Sequence, residues 1–227
     1  MSLSGLSSMA TQHVLAELAR AHVHDRGAAV AVTSMGGVEA AKRVRAGETW
    51  DFVVLAADVI AKLEAEGHVV PGSRADIARS GVAVAVPLDA AAPDLSSEAA
   101  VRDAVMNARA IGFSTGPSGT YLMGLFERWG IAEAIRPRVV QAAPGVPVGD
   151  LVARGKADLG FQQLSELIHM RGIRLAGLLP PEIQSMTTFS GAICGTSEDG
   201  RAARDFLRFL ASPETNDCKR RHGMEPA

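Results

Sequence analysis

Residues 28–67 read AAVAVTSMGGVEAAKRVRAGETWDFVVLAADVIAKLEAEG. An apolar run, Ala28–Thr33, enters the small-residue turn Ser34-Met35-Gly36-Gly37, and a helical stretch follows from Val38 to about Ala46. A second run, Asp51–Ala56, leads into a helix over Asp58–Glu66 that Gly67 stops. Neither run alternates with polar residues, so both are expected as buried strands. The strand-like Gly81–Leu88 continues the rhythm. Strand and helix in regular succession predict an α/β fold whose sheets are mainly parallel and flanked by helices.

The same pattern extends outward in both directions. On the N-terminal side, residues 11–24 place Val14, Leu15 and Leu18 at helical spacing behind a strand ending at Gly5–Met9. On the other side, a loop over 89–97 precedes a helix ending near Ala108. A short strand, Ile111–Ser114, then enters the turn Thr115–Gly119, and a helix is expected over Thr120–Trp129 with Gly130 as its stop. Further strands are expected at Arg138–Ala142, Ala157–Gln162, Gly172–Leu179 and Met186–Cys194, with a short helix over Val148–Arg154. Two helices, Ala202–Ala211 and Glu214–Arg221, close the chain around Ser212-Pro213.

Composition narrows the functional classes. The 227 residues carry 23 Lys plus Arg against 25 Asp plus Glu, and 47% are hydrophobic. That is ample core material with a nearly neutral surface, which excludes a polybasic nucleic-acid binder. Aromatic residues make up 4% and Tyr121 is the one tyrosine, so there is no base-stacking platform. No apolar run reaches the ~18 residues of a membrane span. Cys194 and Cys218 cannot make a structural zinc site alone; they read as two buried thiols or as one disulfide. The start of the chain shows no basic and apolar leader pattern, so the expected location is cytoplasmic, or periplasmic with a leader removed.

One local device recurs. Gly5-Leu6-Ser7-Ser8-Met9, Thr33-Ser34-Met35-Gly36-Gly37 and Ser114-Thr115-Gly116-Pro117-Ser118-Gly119 each end a strand in hydroxyls and small residues that open a helix. Any one of them is ordinary N-capping. Together they suit an anion held by hydroxyls and backbone N–H groups without a formal cation. In an open α/β sheet, ligands lie at those carboxyl ends of strands.

No catalytic constellation competes. The phosphate-loop pattern GxxxxGK[ST] and the nucleophile elbow GxSxG are both absent. His13, His22 and His24 fall on different faces of one helix, and His68, His169 and His222 stand apart, so no metal site is expected. Asp51, Asp58 and Asp158 read as caps or local ion pairs, with Asp51 or Asp158 as the general base if the protein is an enzyme.

The motifs in their order resemble the type II periplasmic binding proteins, specifically the group around the molybdate-binding protein of ABC transporters. The carriers are Leu6-Ser7-Ser8-Met9, Thr33-Ser34-Met35-Gly36, Gly47–Ala57, Ser73-Arg74 with Ser80–Pro87, Gly116–Tyr121, Gly155–Gly160 and Phe206–Glu214. The resemblance implies a two-lobed fold, 1–83 plus 187–227 and 84–186, joined by two crossover strands with the ligand cleft between. It implies oxyanion donors at Ser8, Ser34 and Ser118, flanked by Ser7, Met9, Thr33, Met35, Ser114, Pro117, Gly119 and Tyr121, with a backbone donor near Gly145 or Val146. The family's tyrosine donor falls at Gln163, beside Gln162, so an amide stands in place of a phenol. By the same resemblance the protein is a monomer that binds a small anion for an ABC permease, without cofactor, nucleic acid or membrane insertion. The alternatives are a sensor of a small carboxylate, as in the effector domains of LysR-type regulators, or an enzyme using the same cleft.

Overall fold

A computed structural model of the chain describes residues 2–26 and 29–227, and the side chains of 24–26 are not described. Ala28, where the first expected strand would begin, and the side chain of His24 therefore lie outside the described residues. The chain forms two compact units, residues 1–80 with 187–227, and residues 81–186.

Unit 1 opens with three parallel strands, β1 (Leu3–Ser8), β2 (Val30–Met35) and β3 (Phe52–Ala56), in the order β2-β1-β3. A single 3-10 turn, Met9–Thr11, leads into α1 (Gln12–Arg26); α2 (Gly37–Arg45) and α3 (Ala57–Ala65) follow β2 and β3. On α1, Val14, Leu15, Leu18 and Ala19 are buried on one face, as their spacing requires. All five residues of β3 are buried because strands flank it on both sides. β2 behaves differently from its expected buried state. Among the described residues it pairs only with β1, at the edge of the sheet, and Ala31 and Thr33 are exposed. A run of Ala and Val cannot distinguish these two positions in a sheet. Gly5 is required by packing: a Cβ there would sit 2.2 Å from the ring of Phe52.

The chain leaves unit 1 along β4 (Ala75–Pro87). Unit 2 adds α4 (Glu98–Asn107), β5 (Ile111–Phe113), α5 (Pro117–Arg128), α6 (Ala132–Ile135), β6 (Val139–Gln141), α7 (Val148–Ala153), β7 (Leu159–Gln163), α8 (Leu164–Leu167) and β8 (Ile173–Leu178). β5 pairs in parallel with β6 and β7, while β4 runs antiparallel to β7 and β8. Helix α5 begins at Pro117, three residues before the expected start, because proline is well suited to the first helical turn. Its core collects Phe113, Phe126 and Phe161 with Val82, Val84 and Val86.

The chain returns through β9 (Met186–Ile193), which lies antiparallel against β3. Then come α9 (Gly200–Ala211), α10 (Asn216–Arg221) and the two-residue β10 (Glu225–Pro226), which pairs with the unit 1 part of β4. Asp199 caps α9 by accepting from the N–H of Ala202 at 2.9 Å. Ala203, Phe206, Leu207 and Leu210 face inward from α9, and Phe206 meets Phe52 at 5.1 Å between ring centroids. Burying one such ring contributes about 2–3 kcal/mol. Cys194 and Cys218 are both buried and are not joined in a disulfide.

Candidate functional site

In unit 1, parallel pairing brings the carboxyl ends of β1, β2 and β3 to one edge of the sheet. Ser7 lies opposite Ser34 in the register, and their hydroxyl oxygens are 2.7 Å apart. The Ser7 hydroxyl is also 3.3 Å from the carbonyl of Ser8, to which it can donate. The Ser8 hydroxyl is 3.4 Å from that of Thr11, which donates to the Ser8 carbonyl at 3.1 Å. Ser8 and Gly36 both stand at helix starts with no side-chain capping bond. The first N–H groups of α2 have no partner within the helix, and they carry its positive dipole end. Thr33 is exposed and Ser34 half-buried, while Met9 and Met35 flank the hydroxyls. Neither 5–9 nor 33–39 contains a lysine or arginine.

Unit 2 repeats the arrangement. Phe113 pairs with both Gln141 and Phe161, so β5, β6 and β7 end at one sheet edge. That edge carries Ser114–Gly119, the loop to Val148, and Gln162-Gln163. Ser118 is buried in the first turn of α5, with its hydroxyl 3.5 Å from that of Ser114. Ser114 in turn accepts from the N–H of Gly116 at 3.2 Å. A Cβ on Gly119 would lie 1.7 Å from the Ser114 carbonyl oxygen, so only glycine lets this turn fold onto the helix.

Several expected donors are already engaged. The Tyr121 hydroxyl donates to the carbonyl of Ile183 at 2.7 Å, and burial raises its pKa. The Val146 N–H donates to Ala143, and Gly145 beside it is exposed with φ +79. The Gln162 amide bridges two elements, accepting from the N–H of Val148 and donating to Glu166 at 2.7 Å. Gln163 is buried beside it.

Glu166 was not singled out by sequence. Its only signal was an acid placed three residues after a glutamine that ends a strand. The carboxyl is turned inward on Gln162, and burial pushes its pKa up to about 7, against the opposing effect of the Gln162 hydrogen bond. The aspartates behave as caps and ties. Burial would raise the pKa of Asp51, but hydrogen bonds from Ser4, Ser197 and the Asp199 N–H outweigh it and hold the carboxyl below its ordinary value. Asp158 likewise accepts from the backbone of Ala110 and Arg109. Asp58 lies on the surface, 3.9 Å from Lys62.

The histidines sort differently from expectation. His22 packs in the core against Phe206 and Phe209. His222 does not stand apart: its Nε2 is 2.9 Å from Glu17, and its ring stacks on His13 at 6.4 Å. The fold joins residues from the two ends of the chain, which no local spacing reveals.

Residues 3–225 match the family model for bacterial extracellular solute-binding proteins. The chain is 36% identical over 230 residues to an aconitate isomerase from a Pseudomonas species, covering 99% of this chain and 87% of that one. It is 25% identical over 158 residues to the molybdate-binding protein ModA of Rhodobacter capsulatus, covering 70% of this chain and 62% of that protein. Among solved structures, the periplasmic molybdate-binding protein of Azotobacter vinelandii superposes with a TM-score of 0.80 at 21% identity, covering 98% of each chain. No helix among the described residues is long and apolar enough to cross a membrane.

Proposed function

This chain belongs to the family of bacterial extracellular solute-binding proteins, and on that premise we propose that it takes a small polycarboxylate of the aconitate class and shifts a proton within it. The observation that carries the proposal is the 36% identity to an aconitate isomerase over 99% of the chain. The local geometry supports an anion. In this reading the anion-binding groups are Ser7, Ser8, Met9, Thr33, Ser34 and Met35 of the lobe 1–83 plus 187–227, together with Ser114, Pro117, Ser118, Gly119, Tyr121, Gly145, Val146, Gln162 and Gln163 of the lobe 84–186. Carboxylate oxygens each accept more than one hydrogen bond, and hydroxyls with free helix N-termini supply donors without a cation. Gln163 offers an amide to a carboxylate.

Isomerising an unsaturated polycarboxylate by proton transfer breaks one methylene C–H bond and forms another at the far alkene carbon, while the double bond moves between them. One carboxyl can take the proton and return it, and it works best with a pKa near the operating pH. Glu166, with its pKa at about 7, is the group we assign to that transfer. The test is to incubate the purified protein with cis-aconitate in deuterated water and follow the isomer and its deuterium by NMR. Conversion by the wild type, reduced ~100-fold or more in Glu166→Gln with the ligand-induced thermal shift retained, is the expected result. A thermal shift without turnover would leave a polycarboxylate-binding protein and remove the isomerase.

A second reading keeps a molybdate- or tungstate-like oxyanion, captured in the periplasm for an ABC permease. The paired hydroxyls of Ser7 and Ser34 with the adjoining Ser8 favour it, because they offer neutral donors to a compact dianion. A thermal shift with molybdate and none with any polycarboxylate would replace the first reading with this one. At ~1,000 times its dissociation constant, the true ligand should stabilise the protein by about 4 kcal/mol.

A further inference from the structure

We propose that Cys218, His222 and Glu17 form a three-ligand site for a thiolate-binding divalent cation of the zinc class. The site lies wholly within unit 1 and does not depend on the identity of the anion.

The geometry comes from two helices. Cys218 and His222 are four residues apart at the end of α10, so their side chains share a face. His13 and Glu17 have the same spacing on α1. The helices pack so that the Glu17 carboxylate, the Cys218 sulfur and a His222 ring nitrogen all lie within 4.8 Å of one another. Zinc binds sulfur at about 2.3 Å and nitrogen or oxygen at about 2.0–2.2 Å. Two ligand atoms on a tetrahedral ion are therefore about 3.2–3.7 Å apart. The present separation of 2.9 Å between His222 Nε2 and Glu17 Oε2 needs only a small opening to admit an ion.

The surroundings fit the chemistry. Cys218 is buried and the His222 side chain nearly so, whereas the Glu17 side chain is 37% exposed and provides the way in. Arg221 holds the other Glu17 oxygen, Oε1, which leaves Oε2 to exchange its histidine partner for a cation. Lys219, Arg220 and Arg221 are the cations on α10 that a bound ion must tolerate. Thiolate ligation by Cys218 releases the thiol proton as the ion binds.

The experiment uses the reduced, chelator-treated protein and Co²⁺ alone as the probe. One equivalent should produce a thiolate-to-metal charge-transfer band together with visible absorption of tetrahedral intensity, and Zn²⁺ should erase both. Cys194→Ser should keep these signals, Cys218→Ser should lose the charge-transfer band, and His222→Gln should weaken Zn²⁺ binding at least tenfold. No charge-transfer band in the wild type at stoichiometric Co²⁺, or an unchanged band in Cys218→Ser, overturns the proposal. If Cys218→Ser fails to fold, the wild-type and Cys194→Ser spectra decide, because the chain has only these two thiols.

Discussion

A methyl group on Gly119 would collide with the Ser114 carbonyl at 1.7 Å. Backbone cannot swing aside as a flexible side chain can, so Gly119→Ala should destabilise the protein by about 3 kcal/mol in urea unfolding, as severe overpacking does. Ser34→Ala removes a partner of Ser7 on a half-exposed strand and should leave the fold nearly unchanged while weakening anion binding by about 1–3 kcal/mol, measured by calorimetry. Asp51 has the opposite profile. Its lowered pKa means that the native state prefers the carboxylate. The stability it provides is present above the unfolded value of about 3.9 and is lost as pH falls through the folded one. Acid unfolding of Asp51→Asn should accordingly be less steep below pH ~4 than that of the wild type. The hydroxyl turns were legible as residues because each is contiguous in sequence. The Glu17–His222 contact was not, since its partners are 205 positions apart.

Among the elements, the segment before β9 is secured by one side chain. The Gln184 amide accepts from the N–H groups of Val82 and Ser185 and donates to the carbonyls of Val82 and Leu179. Replacing it with alanine removes the partner of the Val82 and Ser185 N–H groups and of the Leu179 carbonyl, so Gln184→Ala should cost about 2–3 kcal/mol. Hydrogen exchange should show that loss at Val82, whose N–H bonds the amide at 2.8 Å. Elements long enough to show a period were readable, as α1, α3 and α9 demonstrate. So was β3, whose central place in the sheet makes it apolar on both faces. The four-residue helices Ala132–Ile135 and Leu164–Leu167 were not, because one turn cannot establish a period of 3.6. The latter carries Glu166, so the residue now assigned to proton transfer was hidden with its helix.

Across the whole molecule, Glu166 should leave a signature in how stability depends on pH. Its folded pKa of about 7 lies above the unfolded value, so the native state prefers the protonated acid. Below pH ~4.3 the group is protonated in both states and costs nothing; the penalty grows as pH rises and levels off above 7. Glu166→Gln should therefore match the wild type near pH 4 and exceed it by about 3–4 kcal/mol near pH 8, as read from denaturant midpoints at each pH. The division into two units has a consequence for synthesis. Residues 81–186 form unit 2 without interruption, but unit 1 needs 187–227 as well as 1–80. On the ribosome, β3 is made early and its antiparallel neighbour β9 only after all of unit 2. Until then unit 1 carries a bare strand edge, the kind of surface that invites mispairing with other nascent chains. The half translated first is thus the half completed last, and any premature stop beyond residue 186 would release a finished unit 2 tethered to an unfinished one.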